Sequence, residues 1–272
     1  MSAGKIERSF EVRSYETDPR NRMRADCVQN KLQELAYIGS QAFGASYFDL
    51  RERGLFWVLN RMHIRLLDTP VWGDKVDAQT WSRGMFGPLY HRNFLWRGKD
   101  GRPLLAATSA WSVLDLESRS IKRESVLADE GHVEEDTFTT PDGAPQFCGK
   151  VAAPRDLGLL PAGEHSAAWT DLDTNAHVNN CTYLRWALDL LGFDYLSTHS
   201  LRDIQICYFH EIHPGQTVRF LSGTRPETLP AWKPALSDLD AEAPALEGEA
   251  VHLEGRVDDT LAFSMTLFFQ AC

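Results

Sequence analysis

The decapeptide DLDTNAHVNN, residues 171–180, packs two aspartates, three asparagines and a histidine directly ahead of the apolar run CTYLRWALDLLG. An imidazole or a carboxylate can take a proton from water. Amide side chains and the positive end of a helix can hold a developing oxyanion. Asp and Asn also cap helices and build turns with no further role, and Asn179 or Asn180 reads as such a cap. Capping does not account for Asp173, Asn175 and His177 at alternate positions, whose side chains would share one side of an extended loop. Asp171, Asp173 and Asn175 also match the opening of a calcium-binding loop. That reading fails, because Ala176 stands where glycine makes the sharp turn and Thr182 where a bidentate glutamate is needed.

Such a loop needs rigid neighbours, and the pattern supplies them. The following helix carries Cys181, Leu184, Leu188 and Leu191 on one face, with Gly192 at its C-terminal cap. A strand, EHSAAWT, precedes the loop, and DIQICYFHEI, QTVRFLSGT, GEAVHLEGRV and LAFSMTLFFQ continue as strands. The first half has the same order. KIERSFEVRSYET alternates like a strand. A helix follows with Val28, Leu32, Leu35, Gly39 and Ala42 on one face, capped by Asp26 with Gln29 three residues on. LFWVLNRMHIRLL, DKVDAQTWSR, LYHRNFLWRG and PLLAATSAWSVLDL then read as strands, with Gly, Pro and Asp in the turns between them.

A long helix followed by an antiparallel meander, given twice, is an α+β pattern. A helix wrapped by a curved sheet is the hotdog arrangement, so two tandem hotdog domains forming an internal pseudo-dimer are expected. Their bounds are 1–126 and 165–272, with a linker over 127–164. The acidic stretch 127–149 reads as exposed, and the Pro- and Ala-rich stretch 224–249 as a surface loop. Aligning residues 14–27 with 168–181 sets Asp173 against Pro19, Asn175 against Asn21 and His177 against Met23, while Glu211 falls on Thr69. One active site per chain is therefore expected.

The bulk properties narrow the function. A net charge of −10 argues against a generic nucleic-acid binder. No apolar run approaches the roughly 18–20 residues of a membrane span, and the N-terminus turns polar too soon for a secretory signal. Cys27, Cys148, Cys181, Cys207 and Cys272 are scattered without zinc spacing, which points to reduced thiols in a cytoplasmic compartment and to no metal or cofactor. Cys181 and Cys207 lie in apolar contexts and read as core, as do Trp57, Trp72, Trp81, Trp96 and Trp111. His210 and His213 read as surface or packing residues.

Two chemistries suit the loop. Hotdog hydratases use D-x-N-x-x-H, whereas here the histidine comes one residue sooner, which reverses its facing in an extended loop. Thioester hydrolysis needs an activated water and oxyanion donors, which the loop can supply. DLDTNAHVNNCTYLRW resembles the active-site segment of the plant-type acyl-acyl carrier protein thioesterases, D-L-D-x-N-x-H-V-N-N-x-x-Y. NKLQELA, LFWVLNRMHIRLLDTPVWGDKV and ATSAWSVLDLESR are similar to that family's first-domain segments, so the likeness covers most of residues 6–125 and 165–223. The resemblance implies catalytic roles for Asp173, Asn175, His177 and Glu211, with Asp173 tuning His177, and an acyl-binding, catalytically degenerate first half. In the family a cysteine often follows that glutamate. Here Ile212 stands in its place, which leaves water as the nucleophile, or a covalent carboxylate anhydride as a variant.

The implied partner is an acyl carrier protein bearing a fatty acyl-phosphopantetheine; homodimerisation stays open. Docking of that acidic partner would need a basic patch, either Arg20, Arg22, Arg24 and Lys31 or Arg119, Lys122 and Arg123. The alternatives are an acyl-CoA thioesterase and a non-catalytic acyl-binding hotdog protein.

Overall fold

The computed structural model describes residues 4–123, 125, 135–139, 146–233 and 243–272. The first half comprises β1 (Lys5–Glu11), helix α1 (Ala25–Gln41), a short helix α2 (Tyr47–Glu52), β2 (Leu55–Leu66), β3 (Lys75–Phe86), β4 (Leu89–Gly98) and β5 (Pro103–Asp115). The second comprises β6 (Leu160–Ser166), α3 (Asn180–Thr198), β7 (His199–Tyr208), β8 (Thr217–Leu229), β9 (Leu246–Val257) and β10 (Thr260–Ala271). Pairing within each half is antiparallel, and the strand orders match: β1-β3-β4-β5-β2 and β6-β8-β9-β10-β7. Among the described residues, only α2 has no counterpart. The repeat expected from the sequence is present strand for strand.

Each helix turns an apolar stripe inward. Val28 and Leu32 on α1 are fully buried, as are Leu184 and Ala187 on α3; each large side chain so buried contributes roughly 1.5–3 kcal/mol. The Arg92 guanidinium reaches over from β4 to the place a Cβ on Gly39 would take, and as the far end of a flexible side chain it can give way. In α3, Gly192 breaks the helix with φ 79° and ψ 166°, a backbone state that only glycine adopts without strain. The expected cap therefore stands, although a further helical turn follows it.

Several expectations need correction. Helix α1 starts at Ala25 with Arg24 as a cap that offers no side-chain bond, so Asp26 is a first-turn residue. The Arg24 N–H is taken by the Glu16 carbonyl at 2.9 Å, and the helix entry lies two residues earlier than expected. A carboxylate in the first turn still suits the helix dipole. Trp72 is 60% exposed because it lies in the β2–β3 turn, not on a strand; Trp81 and Trp96 are fully buried.

The stretch 127–149 is only partly exposed where it is described, at Gln146 and Gly149. Asp136, Thr137, Phe138 and Cys148 are buried. The face of the first half's sheet they cover carries polar groups that need partners. Trp81 Nε1 and Asn93 Nδ2 donate to the Glu135 carbonyl, Arg83 pairs with Asp136, and Phe138 stacks on His63 at 4.7 Å. The remainder of that stretch lies outside the described residues. One compact unit takes in Met1–Arg24, Val28–Cys148 and Trp232–Ala243 and the other Ala25–Cys27, Gly149–Ala231 and Pro244–Cys272, while position 165 falls within β6. In the 224–249 stretch, β8 and β9 stay paired out to Leu229 and Leu246, and Trp232 is buried, so much less of it is loop than expected. Residues 234–242 lie outside the description.

Candidate active site

Asp171 anchors the base of the loop. Its buried carboxylate accepts the Ala168 N–H at 2.9 Å and pairs with Arg185, while its carbonyl accepts the Asn179 N–H at 2.8 Å. Leu172 and Val178 then bridge as in a hairpin. Inside the bridge the Asp173 N–H donates to the His177 carbonyl at 2.8 Å, and the Ala176 N–H donates to the Asp173 carbonyl at 3.0 Å. Ala176 sits in the left-handed region with φ 59°. The loop is thus a tight turn, not the extended ladder that alternate spacing suggested.

Asp173 shapes that turn. Its Oδ1 accepts the N–H of Asn175 at 2.8 Å and of His177 at 3.3 Å, the Asx arrangement that a short carboxylate favours. Asn175 stands exposed at the outer corner. Asn179 is the helix cap, its side chain accepting the Cys181 N–H at 2.9 Å, so the positive end of α3 opens beside the turn.

Glu211 lies beyond the strand on which it was expected. Strand β7 ends at Tyr208, and Glu211 sits on the segment that follows. Ile212 is fully buried there and its carbonyl accepts the Val178 N–H at 2.9 Å, tying the segment to the turn. In an extended segment, neighbours of an inward side chain point outward. Glu211 and His213 accordingly reach His177: Glu211 Oε1 lies 3.4 Å from His177 Nδ1, and the His213 ring is 4.8 Å from the His177 ring at 85°. The side chains of His177 and Glu211 are half-buried, with 22% and 33% exposure, so solvent still reaches the pair.

Tyr183, from the first turns of α3, closes the floor. Burial pushes its phenol well above the usual tyrosine range, and the Asp173 and Glu211 charges push the same way, against a backbone hydrogen bond at Ile212. The group is a neutral phenol under the two carboxylates. Neither Tyr183 nor His213 was assigned a role from the sequence. The tyrosine was visible in the motif itself, and the histidine in its two-residue spacing from Glu211.

The first half repeats the turn with different side chains on it. Asp18 Oδ1 accepts the Arg20 and Arg22 N–H groups, both at 2.9 Å, and Asn21 is left-handed at φ 61°. The Met23 N–H donates to the Pro70 carbonyl at 2.7 Å, as Val178 does to Ile212. These bonds pair Asp173 with Asp18, Asn175 with Arg20 and His177 with Arg22, one residue off the alignment drawn from sequence; Glu211 still falls on Thr69. The carboxylate that bends the turn is kept, whereas the imidazole and its carboxylate partner are gone.

The basic clusters considered for docking are partly engaged within the chain. Lys31 pairs with Glu16 at 3.0 Å, Arg22 with Asp18 at 3.5 Å and Lys122 with Asp115 at 3.3 Å. Arg24 stands exposed and donates to the Tyr15 carbonyl at 3.1 Å.

Comparison with known proteins places this geometry. Residues 4–129 match the model of the acyl-ACP thioesterase N-terminal domain, and residues 162–241 match that of the C-terminal domain. The chain is 29% identical over 238 residues to oleoyl-acyl carrier protein thioesterase 1, chloroplastic, of Arabidopsis thaliana, covering 80% of this chain and 63% of that protein. It is 30% identical over 252 residues to thioesterase 2 of the same plant, covering 80% and 66%. The chain thus spans slightly under two thirds of the length of these curated relatives. A solved structure of the 12:0-ACP thioesterase from Umbellularia californica superposes with a TM-score of 0.75 at 19% identity, covering 98% of this chain and 94% of that one. That likeness establishes the tandem hotdog fold. With two domain models matched in order and the relatives aligned across most of its length, this chain belongs to the acyl-ACP thioesterase family.

Proposed function

We propose that this chain hydrolyses the thioester of a fatty acyl group carried on acyl carrier protein, releasing free fatty acid and the carrier thiol. The observation that carries the reading is the His177 Nδ1–Glu211 Oε1 approach of 3.4 Å in a turn shaped by Asp173. Glu211 holds Nδ1–H and leaves Nε2 to take a proton from water, the arrangement that makes an imidazole a competent general base. The water oxygen attacks the thioester carbonyl. The positive end of α3 and the Asn175 amide stabilise the oxyanion, the C–S bond breaks, and His177 returns its proton to the departing thiolate. Asp173 acts through the turn. Residue 212 belongs to the core, which supports water over a thiolate as nucleophile.

The first half, with arginines in place of Asn175 and His177, is assigned to the acyl chain. A cytoplasmic location is part of the same reading. It is supported by five free cysteines. The test is turnover of a panel of acyl-ACP thioesters of graded length beside matched acyl-CoA. Hydrolysis of acyl-ACP, reduced about 100-fold or more in His177→Ala and Glu211→Gln, is the expected result. Preference for acyl-CoA would replace the donor. Acyl binding with no turnover would replace the enzyme with a binding protein.

A further inference from the structure

His177, Glu211 and His213 each present one ligand atom such that all three lie within 4.8 Å of one another. A tetrahedral ion bonded at about 2.0–2.1 Å holds its ligand atoms roughly 3.3 Å apart. The His177 Nδ1–Glu211 Oε1 distance of 3.4 Å already equals that edge. His213 is exposed, so a modest side-chain rotation about its own bonds brings its nitrogen onto the same ion. The backbone beneath is fixed, because Ile212 is buried and its carbonyl is bonded to Val178. Two imidazoles and one carboxylate select a zinc-class cation over magnesium or calcium, which demand more oxygen ligands. The first half serves as an internal contrast, since Arg22, Thr69 and Val71 occupy the corresponding places and offer no such set.

We infer that His177, Glu211 and His213 form a binding site for a zinc-class divalent cation, and that the bound ion competes with water activation by the His177–Glu211 pair. The second half of this inference rests on the proposed hydrolase reading, because the ion takes the imidazole nitrogen and the carboxylate that the mechanism uses. His213 lies outside that mechanism, its ring packing edge-on against the His177 ring, so it separates the two roles.

The test uses the full chain, stripped with a chelator and titrated with zinc chloride by calorimetry, with magnesium chloride as the comparison. The wild type is expected to take up zinc with an affinity lowered at least about tenfold in both His213→Ala and His213→Gln, and to show no comparable magnesium binding. In parallel, zinc should slow thioester turnover of the wild type at concentrations at least about tenfold lower than for the His213 variants, each normalised to its own metal-free rate. Equal zinc uptake by wild type and both variants overturns the site. Zinc bound through His213 without slowing turnover, or while raising it, overturns the competition. If Glu211→Gln abolishes turnover while zinc does not bind, the hydrolase reading stands and the metal site falls. Zinc bound through His213 in a chain that hydrolyses no thioester gives the reverse.

Discussion

The paired turns allow the role of Asp173 to be separated from that of its charge. Asp173→Ala removes the acceptor of two backbone N–H groups, and Asp18→Ala removes the acceptor of two equivalent ones. At these half-exposed positions each bond is worth about 1 kcal/mol, so either substitution should cost about 2 kcal/mol. That is a fall in melting temperature of about 4–8 °C. The activities should part. Releasing the 173–177 turn lets His177 drift from Glu211, and a displacement of about 1 Å in such a constellation costs on the order of 100-fold in kcat. Asp18→Ala, in a turn that holds no imidazole, should keep kcat within about fivefold of wild type, since a loss of less than about 1 kcal/mol at the transition state costs no more. The decisive variant is Asp173→Asn. An asparagine forms the same turn through its amide oxygen, so it should recover most of the activity and melting temperature that alanine loses. Melting by circular dichroism and steady-state hydrolysis of an acyl-ACP thioester give both readouts. If Asp173→Asn melts like the wild type but is as inactive as Asp173→Ala, the charge takes part in the chemistry and the shaping argument is wrong.

Two further outcomes follow from buried and strained groups. Burial pulls His91 down from 6.5 to about 4, aided by the charges of Arg83 and Arg61. The fold therefore holds it neutral while the unfolded chain protonates it, and stability present above pH 6.5 is lost progressively as pH falls towards 4. A melting series over that window should show the loss, with a shallower slope in His91→Gln; parallel slopes would exclude His91 as its source. Gly192→Ala, at a backbone φ of 79°, should destabilise by about 1–3 kcal/mol; an unchanged melting temperature would mean the helix break can relax.

Most of the scaffold was legible because its signals are periodic. Strand β4 spans Leu89–Gly98, the run read as a strand between turn residues, and Asn179 caps α3 as its type and place suggest. The functional turn was harder for a specific reason. Its left-handed position holds Asn21 in one copy, a residue at home there, and Ala176 in the other, which is not. Matching like with like set Asn21 against Asn175 and slid the alignment by one residue, hiding Asp18 behind Pro19. Alternate spacing then suggested an extended run where the backbone bonds of Asp173 make a bend. The buried segment around Asp136 was misread because its acidic composition reports affinity for water. It does not show that Arg83, Trp81 and Asn93 on the strands lacked partners without it. His177 and Glu211 are separated by more than thirty residues, and the Val178–Ile212 bond between their neighbours helps to fix them face to face.

That two turns of one chain share the same bends, with the same aspartate at the same corner, means the main chain is indifferent to which set of side chains it displays. The turn is a reusable mould, and Arg20, Arg22 and Thr69 mark the sockets into which an asparagine, a histidine and a glutamate could be grafted.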